Sequence, residues 1–313
     1  MDQLACFTPE DLSKDPAPDW SSYRWKLLAH GDDWVAAPDG HSAQGSHLLQ
    51  DMQFSQATAL LNCARAQAPA LSHVVDWALD AQFRQLLCAP DAPTWDGLLL
   101  SLGGHDLLHA AQTTAVDASG AAVDLQHRLL RTQSEWGAPS QGVARYFSEP
   151  GWSTFADYLR TNVQHLLSLR DQGPSAGKPV FVHCYAVPLP RPAGNGTGGP
   201  WLLPTFKAYA IPPGDWLALA RLMVMHLAQL LKAMAADSAN YPGLFVFDST
   251  AVPLALPAAG SSGSSGDWHD EIHPNHSGCF KLGRAWAEHV DIVLQNGGRA
   301  PEAPTSGKSR ARR

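Results

Sequence analysis

Two hydrophobic periods run along this chain, and the switching between them predicts an α/β fold. Five short runs are continuously apolar and bounded by turn residues: Lys26 to His30, Ala57 to Ala64, Gly97 to Leu102, Pro179 to Tyr185 and Leu244 to Phe247. Runs of that length read as strands buried on both faces, the pattern of a parallel sheet. Between them, apolar residues recur at three- and four-residue spacing over Leu71 to Leu87, Trp152 to Leu169 and about Ser277 to Leu294. The clearest series is Leu219, Leu222, Met223, His226, Leu227, Leu230, Leu231, Met234, with Arg221, Gln229 and Lys232 on the other face. Strands alternating with helices predict a doubly wound, flavodoxin-like, five-stranded parallel sheet in three α/β/α layers. Ligands bind outside the carboxyl ends of the strands in such a sheet, so the loops after the first three strands are where chemistry is expected.

The same pattern divides the chain. Residues 1–22 read as an N-terminal extension and 23–296 as one domain, within which 113–150 mixes Gly, Ser and Pro with a few aromatics and is a possible lid insertion. Pro188 to Pro200 reads as an extended excursion, and Ala258 to Gly266, AAGSSGSSG, as a flexible linker. Residues 297–313 form a basic tail without apolar periodicity, with Lys308, Arg310, Arg312 and Arg313, and are expected to be disordered.

Composition narrows the partners. A chain of 313 residues, 45% hydrophobic, can bury one large core. A net charge of −7 with 16% charged residues offers no basic field for nucleic acid or an anionic membrane, so a small ligand is expected, with no nucleic acid and no membrane as partner. Cysteines 6, 63, 88, 184 and 279 are odd in number and scattered, which reads as reduced thiols. The N-terminus MDQLACFTPEDLSKD carries acids where a secretory signal needs bases, and a cytoplasmic location is the expectation. Arg221, His226 and Lys232 interrupt the longest apolar stretch, Trp216 to Ala236, against its spanning a membrane.

Four segments fall at strand ends and carry chemistry: LLAHGDDWVAAP (27–38) with GSHLLQDM from Gly45, NCARAQAPA (62–70), LLSLGGHDLL (99–108) and DWHDEIHPNHSGCF (267–280). In this order, and together with PVFVHCYAVPLP, GGPWLLP and HPNHSGCFKLGRAW, the chain resembles the SGNH (GDSL-type) esterase and lipase family. The resemblance implies a carboxylic-ester hydrolase site with a Ser nucleophile after the first strand, an oxyanion-hole Gly in the second block, an Asn in the third and an Asp-x-x-His in the fourth. Here Asp33 stands at the Ser position, Gln67 at the Gly and His105 at the Asn, while Asp270 and His273 are present. The implied catalytic residues are Asp33, His273 and Asp270. The oxyanion-hole positions are Asp33, Gln67 and His105, the ligand a small ester or acyl compound, and no cofactor is implied.

The substitution changes the chemistry. A Ser nucleophile needs His to take its proton and an acid to orient the imidazole. Asp33 could attack an ester only to give an anhydride, and its charge repels the developing oxyanion, so serine-type turnover through residue 33 is excluded. Asp33 can still serve as general base for water. A carboxylate beside His273 and His105 is expected to favour their charged forms and to have its own pKa lowered. Three readings stay open: reduced or altered ester hydrolysis, a non-catalytic ligand-binding pseudoenzyme, and metal-assisted hydrolysis through Asp33, His105 and His273. Asp33 could also cap a following helix, and Asp32 reads as a loop-holding residue. GHSAQG (40–45) superficially resembles a nucleophile elbow at Ser42, but no strand precedes it. His183 and His226 read as core histidines; His41, His47, His109, His269 and His276 read as surface or hydrogen-bonded residues. Trp34, Trp136, Trp152, Trp201 and Trp268 line a pocket or pack the core.

Overall fold

Each of the five apolar runs forms a strand. The structure, a computed structural model, describes residues 2–16, 18–36, 46–64, 74–194 and 198–299. Its strands in chain order are β1 (Asp2–Gln3), β2 (Ala5–Phe7), β3 (Trp25–Gly31), β4 (Gln53–Phe54), β5 (Thr58–Asn62), β6 (Gly97–Ser101), β7 (Val180–His183) and β8 (Leu244–Phe247). The main sheet has the order β2-β5-β3-β6-β7-β8, all neighbours parallel, while β1 and β4 form a separate antiparallel pair. The five predicted strands thus lie second-first-third-fourth-fifth, the doubly wound arrangement. The main sheet has six strands rather than five. β2 is three residues long and partly exposed, too short to show a period, and it earns its place by pairing Ala5, Cys6 and Phe7 with Ala59, Leu60 and Leu61.

The helices are α1 (Val74–Leu79), α2 (Ala81–Cys88), α3 (Gly104–Gln112), α4 (Glu149–Gln172), α5 (Leu202–Ala208), α6 (Trp216–Ala236) and α7 (His276–Gln295). The predicted helix over 71–87 is broken inside its described part because Asp80 turns extended and its carboxylate accepts from Phe83 N–H at 2.8 Å, capping α2. Ser148 and Asn275 cap α4 and α7 in the same way. Strand side chains alternate between two faces. On one face Leu98, Leu100, Val180 and Leu244 meet Phe83 and Leu87 of α2 and Val163, Leu166 and Leu167 of α4. On the other, Phe181 and His183 meet His289 and Trp286 of α7. Three layers follow from that alternation.

The span Pro213–Ala236, which contains α6, is long and apolar enough to cross a membrane by length and composition, yet Leu219, Met223, Leu227 and Leu231 are buried in the core. His226 stands edge-on to Phe147 and Trp152. Residues 113–150 hold short 3-10 turns and pack on the start of α4, where Ser148 Oγ–H donates to the Leu125 carbonyl at 2.7 Å. Cys63, Cys184 and Cys279 are buried, and Cys6 is exposed on β2.

Candidate active site

The first motif is built by a close approach of two strands. β3 ends at Gly31, where a Cβ would lie 2.7 Å from both the Ser101 Cβ and Val35 Cγ2, so a side chain there would hold β3 and β6 apart. Asp32 then turns inward and is buried. It accepts from Ser101 Oγ–H at 2.6 Å, from the Tyr185 hydroxyl and from Trp34 N–H at 3.2 Å. Asp32, rather than Asp33, therefore accepts from the backbone of the turn that follows, and no helix follows within residues 32–36.

Ser101 also lies 2.8 Å from His183 Nε2, giving a serine, a histidine and an aspartate in sequence. The proton directions are wrong for a nucleophile. Tyr185 N–H donates to His183 Nδ1 at 3.3 Å, so Nε2 carries the proton and donates to Ser101, which in turn donates to Asp32. Burial pushes His183 down to about 3, and Ser101 is fully enclosed. Asp32 is raised to about 6 by burial, against its three donors. This chain of hydrogen bonds fixes the floor beneath Asp33.

Above that floor, Asp33 stands with its side chain 27% exposed, and its Oδ2 lies 3.9 Å from His273 Nε2. His273 Nδ1 is 2.7 Å from Asp270 Oδ2, and Asp270 Oδ1 accepts from the backbone N–H of Ile272 and His273 at 2.9 and 2.8 Å. Asp270 is fully buried. His105, buried in the first turn of α3, is edge-on to His273 with ring centroids 6.0 Å apart. Gly104 packs so tightly against the Tyr185 ring that a Cβ would lie 2.3 Å from it, which locks the start of α3. One nitrogen or oxygen from each of Asp33, His105 and His273 lies within 4.8 Å of the other two. Gln67 and Ser42 lie outside the described residues.

Charge at the site departs from the expected pattern at one residue. His273 is raised: burial opposes its charge but is outweighed by the charge and hydrogen bond of Asp270, with Asp33 adding. Asp33 is raised too, not lowered. Burial dominates, His105 and His273 pull the other way, and the carboxylates of Asp32 and Asp270 push it further up.

Two residues that motif reading did not single out hold the fourth block in place. Glu271 is fully buried and accepts from the backbone N–H of Arg191, Trp201, Leu202 and Leu203, the last three at the start of α5. Burial pushes its carboxyl up to about 7 against those amides. Arg191, also buried, donates to the carbonyls of Asp270 at 2.6 Å, Ser261 at 3.1 Å and Gly263 at 2.5 Å. The expected excursion and the expected linker are thus buttresses of Asp270 and His273. A lone Arg inside VPLPRPAG and an acid adjoining Asp270 were the available signals. Trp201 stands perpendicular to His273 with centroids 5.4 Å apart. Beside His105 lies a small apolar pocket of about 40 Å³, walled by Trp34, Leu108, Tyr185, Val224, Leu227 and Ile272.

No family model and no curated protein matches the sequence. Among solved structures, the chain is similar to an acetyl xylan esterase from Geobacillus stearothermophilus, with 14% identity and a TM-score of 0.42 over 90% of this chain and 98% of that one. It is similar to a protein named as an arylesterase from Agrobacterium tumefaciens, at 16% identity and TM-score 0.39 over 86% and 99% of the two chains. A protein named as an acylhydrolase from Bacteroides fragilis gives 10% identity and TM-score 0.40 over 93% and 95%. At such scores the likeness adds nothing to the reading of the site, which rests on its own geometry.

Proposed function

We propose that this chain is an esterase-type hydrolase of the SGNH/GDSL kind in which water, not the side chain at position 33, attacks a small carboxylic ester, at a reduced rate. The observation that carries the reading is the triangle of Asp33, His105 and His273, with Asp270 hydrogen-bonded behind His273. Three polar atoms no more than 4.8 Å apart leave a common point no further than about 2.8 Å from each, the hydrogen-bond length of one water. The apolar cavity beside His105 takes the acyl group.

In this reading the water gives its proton to Asp33 as its oxygen bonds to the carbonyl carbon, and His105 faces the oxyanion. The ester C–O bond breaks and the leaving alkoxide takes a proton from the His273 side. Asp33 hands its own proton back through solvent. No bond to the protein forms. The carboxylate's charge works against the oxyanion, and the loss of a well-aimed donor at such a position costs about 10²–10³ in rate.

Short-chain aryl ester hydrolysis tests it. The parent protein is expected to turn over without labelling by a fluorophosphonate, His273→Ala to lose turnover, and Asp33→Ser to gain both rate and label. Turnover that survives His273→Ala, or an acyl adduct on the parent protein, would sink the reading.

A further inference from the structure

We infer that Asp33, His105 and His273 form a binding site for one divalent metal ion of the zinc class. The inference rests on the hydrolase reading for its catalytic consequence and alters its step, since a bound ion would occupy the Asp33, His105 and His273 atoms and itself hold and acidify the attacking water, but its binding arm does not depend on that reading.

Four observations carry it. The donor set is two imidazoles and one carboxylate, the ligand types that zinc-class ions take with positions left open for water. The three residues come from three separate elements, the end of β3, the first turn of α3 and the block before α7, so their convergence is a product of the fold and not of local sequence. His273 is already set as a ligand: its Nδ1 proton is held by Asp270 at 2.7 Å, which turns the Nε2 lone pair toward Asp33. That Nε2 is buried and hydrogen-bonded to nothing among the described residues. A carboxylate behind a ligating imidazole is the usual outer partner of a metal-bound histidine. Finally, both departures from the esterase pattern that fall within the described residues, at 33 and 105, introduce metal-ligand side chains.

The spacing is that of an open site. Ligand atoms around a tetrahedral ion stand about 3.4 Å apart for bonds of about 2.1 Å, against 3.9 Å for the Asp33–His273 pair and up to 4.8 Å across the set. Closing it needs a shift of about an ångström at side-chain tips, and Asp33, 27% exposed, has room to make it. A bound dication also neutralises the charge at Asp33 that otherwise opposes the oxyanion, and lowers the pKa of the water it holds.

The full chain, stripped with a chelator, is titrated with zinc by calorimetry and with cobalt(II) by visible absorption. One equivalent of zinc is expected to bind, and cobalt to give the d–d bands of a low-coordinate nitrogen and oxygen site. His105→Asn, with its fold checked by circular dichroism, is expected to weaken binding at least roughly a hundredfold, and Asp270→Asn by about 10–100-fold through the outer partner alone. No stoichiometric binding, or unchanged affinity in both variants, overturns the site. Ester turnover is scored separately. Zinc binding without turnover in either state sinks the hydrolase reading and leaves the site standing; turnover without zinc binding does the reverse.

Discussion

Asp32 and Asp33 are neighbours with opposite duties, and the difference is one of direction. Asp32 points down into Ser101, Tyr185 and the Trp34 amide, while Asp33 points up toward His273. Ser101 therefore looks like a nucleophile in composition but acts as a relay of hydrogen bonds. Ser101→Ala takes the acceptor from the His183 Nε2 proton and leaves Asp32 Oδ1 with the Trp34 N–H alone, and a buried polar group left unsatisfied costs about 1–3 kcal/mol. Chemical denaturation is expected to show that loss, with ester turnover retained in the folded fraction. Abolished turnover at unchanged stability would make Ser101 the nucleophile instead.

At the scale of elements, the segment 113–150 is held by a capping box and an ion pair rather than by regular structure. Thr132 N–H and Oγ1–H donate to Glu135 at 2.8 and 2.7 Å, and Arg128 meets the other Glu135 oxygen at 2.5 Å. The Arg128 hydrogen bond is the main cause that holds Glu135 down to about 2, with burial opposing and Thr132 assisting. A carboxyl lowered on folding stabilises the folded state above its ordinary pKa of 4.5, and that contribution is lost as pH falls toward 2. The group is nearly a third exposed, so solvent reduces the contribution to about 1 kcal/mol. Glu135→Gln is expected to lower stability by that amount at pH 7 and by next to nothing at pH 2, read from denaturation midpoints at the two pH values.

For the molecule as a whole, the sheet edge next to β5 is covered, among the described residues, by the short β2. Phe7 at its end meets Trp20 at a tilt with ring centroids 5.0 Å apart, and Trp20 meets Trp95 edge-on at 5.8 Å, tying the first residues to the domain. Removing residues 1–7 uncovers the backbone of Ala59, Leu60 and Leu61, and a bare parallel edge is a template for aggregation. The truncated protein is expected to melt roughly 5–10 °C lower and to scatter light on heating; unchanged melting would show that β2 contributes nothing.

Five strands and the long helices were legible because each is a run of apolar residues whose period is a property of the chain alone. α3 and α5 were not. Gly103 and Gly104 mask the start of α3, and α5 has seven residues with a proline among them. The types of residue in the site were legible as well, since motifs name Asp33, His105, Asp270 and His273 one by one. The tertiary structure decided their meeting, because parallel pairing of β3 with β6 sets residues 33 and 105 side by side, and Glu271 and Arg191 lock the last block through loops distant in sequence. It also decided the charge on Asp33. Opposite charges nearby can be guessed from a sequence, but desolvation depends on what covers the group, and here that cover outweighs both histidines.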